Sequence, residues 1–164
     1  MRLAIFATLI SLIASPVLAG QLHLAGPDGV EQDVGPDILA SLPRQSVTLE
    51  AHGETHLYSG PLLIDLLARV QTPTGKAIHG PELASVVLVT ARDGYQVALG
   101  LAELDPGTRP NRILLADQKD GKPLDGTEGP YRLVVEGDLR PARSARSVTG
   151  ISVSRLGSGA AKGH

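Results

Sequence analysis

Glycine and proline cut this chain into short pieces. There are 19 glycines and 12 prolines in 164 residues, and nearly every apolar run is bounded by one of them. Glycine supplies the positive φ of tight turns, and proline removes the donor that a helix interior or central strand requires. A helical bundle needs long uninterrupted amphipathic stretches, so this punctuation excludes one. What survives between the breaks is short and rich in β-branched residues: 47–49, 85–91, 113–116, 131–136 and 151–155. In 85–91 the residues Val86, Val87, Leu88 and Val89 are contiguous, which predicts a strand buried on both faces. Asp93-Gly94 then turns that strand into residues 95–99, a hairpin signal, and Asp120-Gly121 marks another turn. Residues 21–24 and 31–34 flank Pro27-Asp28-Gly29 as an opening hairpin, and 36–42 reads as one helical turn stopped by Pro43.

One stretch has helical spacing. Leu62, Leu63, Leu66, Leu67 and Val70 fall on one face, with Asp65 and Arg69 outside it. This predicts a helix over 61–70, with Pro61 at its first position and Gly60 as its cap. The fold class expected is therefore α+β: a mainly antiparallel or mixed sheet, or a barrel, packed with one principal helix.

Residues 1–19 read as a secretory signal peptide. Arg2 gives the positive start, 3–14 an apolar run too short to span a membrane comfortably, and Val17-Leu18-Ala19 the small residues before a cut at Gly20. Residues 20–156 then form a single domain and 157–164 a flexible tail of small polar residues. The expected location is the periplasm or outside the cell. Exported domains usually carry disulfides, but with no cysteine this one must hold together by packing alone. A formal net charge of −2 gives no electrostatic reason to bind nucleic acid or an anionic membrane. One Phe, three Tyr and no Trp leave few stacking platforms for bases or sugars.

Four segments, in order, carry a family resemblance. Tyr58-Ser59-Gly60-Pro61-Leu62-Leu63-Ile64-Asp65-Leu66-Leu67 looks like an aromatic-x-Gly-x-x-Leu-x-Asp-x-Leu helix entry. Asp93-Gly94-Tyr95, followed by Leu99 and Leu101, looks like a DGY hairpin. Leu114-Leu115-Ala116, Asp120-Gly121-Lys122-Pro123-Leu124 and Gly129-Pro130-Tyr131-Arg132-Leu133-Val134-Val135 form a strand, a turn and a second strand. Ala142-Arg143-Ser144-Ala145-Arg146 with Ile151-Ser152-Val153 looks like a basic loop and closing strand. From Val47 onward the chain thus resembles the molybdopterin-binding domain of the sulfite oxidase family. It is similar to that family's small exported single-domain relatives, being too short for a haem or dimerisation domain. The resemblance implies a sulfite oxidase-like fold and molybdopterin as the cofactor.

One departure matters most. The segment Val47-Thr48-Leu49-Glu50-Ala51 looks like the family segment that ends in the metal-holding cysteine, and Ala51 stands at that position. A methyl group cannot ligate a metal, and molybdenum bound through sulfur wants a soft thiolate. Ser147 also stands where an aromatic usually follows the second basic residue.

By the resemblance, the residues that would meet the cofactor are Arg143 and Arg146 on the basic loop, Arg132 on the strand before it, and Ala51 at the empty anchor position. Paired cations beside backbone N–H groups suit a phosphate. A solvated basic turn is the plainer reading of Arg140, Arg143 and Arg146, and an outward residue on a half-buried strand the plainer one of Arg132. His52, Glu54 and His56 alternate and would share a face if extended, an open type of metal site, although Gly53 between them suggests a bend. No catalytic residue is assigned, since no nucleophile elbow, phosphate-binding loop or dinucleotide fingerprint is present. These features favour a non-catalytic exported domain that binds a small anionic ligand or a protein partner. Two alternatives stand beside it: a small molybdenum-dependent oxidoreductase that holds molybdopterin without a cysteine, and an interaction subunit of a membrane sensor or redox complex.

Overall fold

A computed structural model describes residues 20–51 and 53–157, with the side chain of Ala51 excepted. The expected signal peptide, the tail beyond Gly157, and His52 lie outside the described residues.

The chain opens with a hairpin of β1 (Leu22–Ala25) and β2 (Glu31–Val34), turning through Gly29 at φ 79°. A five-residue helix α1 (Pro36–Ala40) leads into a long antiparallel hairpin, β3 (Arg44–Ala51) with β4 (Glu54–Pro61). Helix α2 (Leu63–Leu67) continues as a 3-10 turn over Ala68–Val70. After two further 3-10 turns come β5 (Ser85–Ala91) and β6 (Gln96–Gly100), then β7 (Ile113–Ala116). The short β8 (Gln118–Lys119) and β9 (Lys122–Pro123) flank Asp120-Gly121, both at positive φ as a two-residue hairpin turn demands. Strand β10 (Arg132–Val135), a 3-10 turn at Pro141–Arg143 and β11 (Val148–Arg155) close the chain.

These strands make three sheets: β2-β1-β11-β5-β6, β10-β7, and β3-β4-β8-β9. Every pairing is antiparallel except β1 with β11, so the architecture is the expected α+β with mixed sheets. The barrel alternative is not realised: β2 and β6 end the large sheet without meeting each other. Strands β7 and β10 are buried on both faces, because they lie between two cores. On one side Leu115, Leu133 and Val135 join the main core with α2 and the large sheet; on the other, Leu114, Ala116 and Val134 meet Val47, Leu49 and Tyr58.

Two expectations are corrected. The helix starts later than Gly60-Pro61 implied: Pro61 is still in β4, paired with Arg44, and extended Leu62 caps α2. The β4 backbone is committed to β3 and to an isolated bridge between Leu62 and Leu114, and those hydrogen bonds win over proline's preference for a helix start. Of the predicted apolar face, Leu63, Leu66, Leu67 and Val70 are buried and Leu62 is half-buried, and Ile64, outside that face, is buried as well. The other correction concerns β5. Its Ser85, Val87, Val89 and Ala91 are buried while Val86, Leu88 and Thr90 are half-exposed, so only one face sits in the core. A contiguous apolar run cannot by itself say whether a second layer covers the sheet.

Candidate functional site: an arginine-lined cleft

The basic loop is laid down by backbone hydrogen bonds that fix alternate residues. Leu133 donates to the Ala145 carbonyl (2.8 Å), Ser147 to that of Glu128 (2.8 Å), and Val148 to that of Tyr131 (2.8 Å). The Ser147 carbonyl in turn accepts from Arg92 (2.9 Å), tying the loop to the end of β5. Ser144 and Ala145 are therefore buried and Arg146 is turned out to solvent. Ser147 sits at φ 51°, an uncommon region for a residue with a Cβ. A small side chain tolerates that conformation better than a bulky one, which fits Ser where the resembling family has an aromatic.

Arg146 opens onto a cleft of about 600 Å³ lined also by Arg92, Asp93, Gly126, Thr127 and Ser147. Arg92 is held there by a hydrogen bond from Nη2 to the Gly129 carbonyl (3.1 Å). Arg146 has no hydrogen-bond or ion-pair partner among the described residues. Thr127 is fixed by Asp125, whose Oδ1 accepts from both its amide (2.8 Å) and its hydroxyl (2.6 Å). Asp93 is occupied in part by the Tyr95 amide (3.0 Å), and Tyr95 Oη donates to the Ala142 carbonyl (2.9 Å), bracing the hairpin against the basic loop. Two guanidiniums face one opening with one carboxylate, an excess of positive charge of the kind that suits an anion. The Thr127 and Ser147 hydroxyls that also line it already donate, to Asp125 Oδ1 and to the Thr127 carbonyl (3.4 Å), so the donors left are those of the arginines.

Arg143 lies elsewhere in this balance. It makes a bidentate pair with Asp138 (2.9 and 2.7 Å) and a third contact to Glu103 (3.3 Å). The Asp138 hydrogen bond, opposed by burial and helped by Glu103, holds its pKa well above the ordinary arginine range. Arg140 is exposed. Of the three loop arginines, only Arg146 lines the cleft.

Arg132 is 2% exposed, so it is not an outward residue on a half-buried strand. Its alternation with Leu133 and Val135 was legible, but the face opposite those residues is the second core rather than solvent. Its Nη1 donates to Tyr58 Oη (2.6 Å) and Glu128 Oε2 (2.7 Å), and its guanidinium lies 4.8 Å from the Tyr58 ring centre. Tyr58 Oη donates to Glu128 Oε2 (3.0 Å), and Lys119 Nζ reaches Glu128 Oε1 (3.2 Å). Burial opposes the Glu128 carboxylate, but the hydrogen bond and charge of Arg132, with Tyr58 and Lys119, bring its pKa below the ordinary value. Burial raises that of Tyr58 despite the Arg132 charge. Arg132 Nε is buried without a hydrogen-bond partner.

Ala51 is the last residue of β3, paired with Glu54 beside the turn at Gly53; its side chain lies outside the described residues. The 3-10 turn Pro141–Arg143 packs near β3 and β10, so the basic loop and the strand bearing Ala51 are neighbours. Glu54 and His56 do not converge on a common point. His56 Nδ1 is 2.7 Å from Asp120 Oδ2 and Nε2 is 3.2 Å from Glu54 Oε2, so the carboxylates flank opposite ring nitrogens. Among the described residues no His, Asp or Glu cluster has the arrangement to hold a metal.

Sequence reasoning missed Arg92, Thr127, and the Tyr58–Glu128 partners of Arg132. Arg92 had a signal: a lone cation between the apolar strand and its Asp-Gly turn. Thr127 and Glu128 had none in one dimension.

No protein-family model matches the chain, and no curated protein matches it. Among solved structures, the sulfane dehydrogenase SoxCD from Paracoccus pantotrophus is similar over 82% of this chain, with a TM-score of 0.63 and 18% identity. The matched region is 38% of that chain, so the present chain spans well under half of its neighbour's length. The likeness shows the fold, and it is the fold that the motifs implied.

Proposed function

We propose that this chain is an exported, non-catalytic domain of the molybdopterin-binding fold that captures a phosphate-bearing ligand, or an anionic group of a partner, between Arg92 and Arg146. The observation that carries the reading is the contrast between the loop arginines. Arg143 is neutralised by Asp138 and Glu103, whereas Arg146 faces the cleft with no partner among the described residues. A guanidinium that needs no competitor displaced is the one available for binding.

A molybdenum cofactor fits this chain at one end only. Its phosphate would suit Arg92 and Arg146. Its metal would lack the protein thiolate, since the sequence has no cysteine. No reaction step is therefore assigned.

Three variants test the proposal with inorganic phosphate as the probe, read by amide chemical shifts of Thr127 and Arg146. Arg146→Ala is expected to weaken phosphate binding about tenfold or more, the worth of a charge-assisted hydrogen bond. Arg92→Ala should act in the same direction, and Arg143→Ala should change affinity by less than about twofold, because its charge is already spent. Equal losses for Arg143 and Arg146 would sink the assignment.

The shared fold with a sulfane dehydrogenase favours one other reading, a small molybdenum-dependent oxidoreductase that retains its cofactor through the pterin alone. Protein purified from its native cells decides between them by molybdenum content and pterin fluorescence. Stoichiometric molybdenum surviving gel filtration overturns the non-catalytic reading.

A further inference from the structure

Strands β3 and β4 pair along their whole length, but β4 pairs with β8 only at Tyr58 and Ser59. Two hydrogen bonds extend that seam by one residue: Asp120 donates its amide to the Leu57 carbonyl (2.8 Å), and Leu57 donates its own to Asp120 Oδ1 (2.9 Å). Past Leu57 the hairpin runs on as a two-stranded arm through Thr55 and Glu54 to Gly53. At its base Leu49, the partner of His56, is packed in the second core; beyond that, among the described residues, one polar side-chain contact ties the arm to the rest of the sheet, His56 to Asp120. The same ring reaches Glu54 on its other side.

From these contacts we infer that the end of the β3–β4 hairpin is a proton-operated clamp, closed when His56 is an imidazolium and loosened when it is neutral. An imidazolium donates from both nitrogens and satisfies both carboxylates. A neutral ring has one N–H, so whichever tautomer it adopts, one carboxylate faces a lone pair. Among the described residues, the groups facing His56 are few. Glu54 is on its own strand, with Tyr58 two residues further along the same face; Leu49 is its partner on β3, beside Glu50; and Asp120 comes from the β8–β9 turn, beside Lys119. The Leu57 amide, then the His56 hydrogen bond, hold the Asp120 carboxyl below its ordinary range, so it is as a carboxylate that Asp120 meets the ring.

The clamp matters because of what the arm carries. Its far end holds Ala51, and Asp120 also lines a second cleft of about 340 Å³ with Lys119, Lys122, Pro123, Leu124, Asp125 and Glu128. Loosening the contact frees only the end of the hairpin, beyond Leu49, from the wall of that cleft. Acidification would close it. The device is independent of any ligand in the arginine cleft and stands or falls separately from the proposed function.

Amide hydrogen exchange measured by NMR tests it on the full chain. Protection of residues 54–57, corrected for the intrinsic pH dependence of exchange, is expected to fall at least threefold as pH rises. The fall should track the titration of His56, read from its own ring proton resonances. His56→Gln, which cannot titrate, should show no such step. Asp120→Asn keeps an acceptor for the Leu57 amide but removes the charge, and should also flatten it. Protection that stays constant through the His56 titration, or the same step persisting in either variant, overturns the proposal.

Discussion

Replacing Arg132 by leucine is expected to destabilise the domain by about 3 kcal/mol or more, the cost of leaving a buried charge without its partner. The orphaned group would be Glu128, which keeps only Tyr58 and Lys119. Removing both charges should cost less than the two single changes together. Arg132→Met combined with Glu128→Gln should show a favourable coupling of about 2 kcal/mol, within the range of residues sharing one network. The linkage with pH has a definite sign. Because the folded state lowers the Glu128 pKa, the carboxylate contributes stability above its unfolded value, and that contribution is lost as pH falls through the folded value. Wild type should therefore lose stability on acidification below the ordinary carboxylate range more steeply than Glu128→Gln does. Denaturant titrations across that window measure both effects. An Arg132→Leu cost below about 1 kcal/mol would mean that the pair is not the anchor of the second core.

The fate of Arg132 also shows what the sequence could and could not reveal. Its alternation with Leu133 and Val135 placed it on the face opposite those residues, and that is where it is. What lies against that face depends on the β3–β4 hairpin, whose partners are more than seventy positions away in the chain. Thus periodicity identified the strand, while only tertiary packing decided between solvent and a second core. The same holds for Val86 and Leu88, whose contiguity with Val87 and Val89 looked like burial on both faces. Turn chemistry was read more reliably, because Asp93-Gly94 and Asp120-Gly121 specify their own backbone conformations locally. The basic loop was legible as a cluster of charge, but which arginine lines the cleft, unpaired among the described residues, was not. That distinction rests on Asp138 and Glu103 capturing Arg143 and on the backbone bonds that turn Arg146 outward. The anchor at Ala51 was legible only as a missing residue type.

Gly60 is the position where sequence reasoning named the right residue for the wrong role, and it carries the other large effect. Read as a helix cap, it should tolerate alanine at a small cost. In the fold it is instead the point where β4 touches β7. A Cβ there would sit 2.1 Å from the Leu115 carbonyl oxygen, 2.7 Å from the Ala116 Cα and 2.8 Å from the Leu115 carbonyl carbon. All three atoms are backbone, and the strand that holds them is buried on both faces, so no flexible side chain can give way. Gly60→Ala must push β7 off the β4 hairpin, breaking the bridge between Leu62 and Leu114 and opening the core that holds Tyr58. Its expected cost is about 3 kcal/mol or more, the upper end for overpacking, because backbone rather than a rotamer must move. Gly35→Ala is the control: Gly35 caps α1 in extended conformation with no atom near its Cβ position, and should change stability by less than about 0.5 kcal/mol. Equilibrium unfolding of both variants separates the two roles. Similar small losses at Gly60 and Gly35 would restore the capping interpretation; a loss confined to Gly60 identifies close strand contact as the reason that position is glycine.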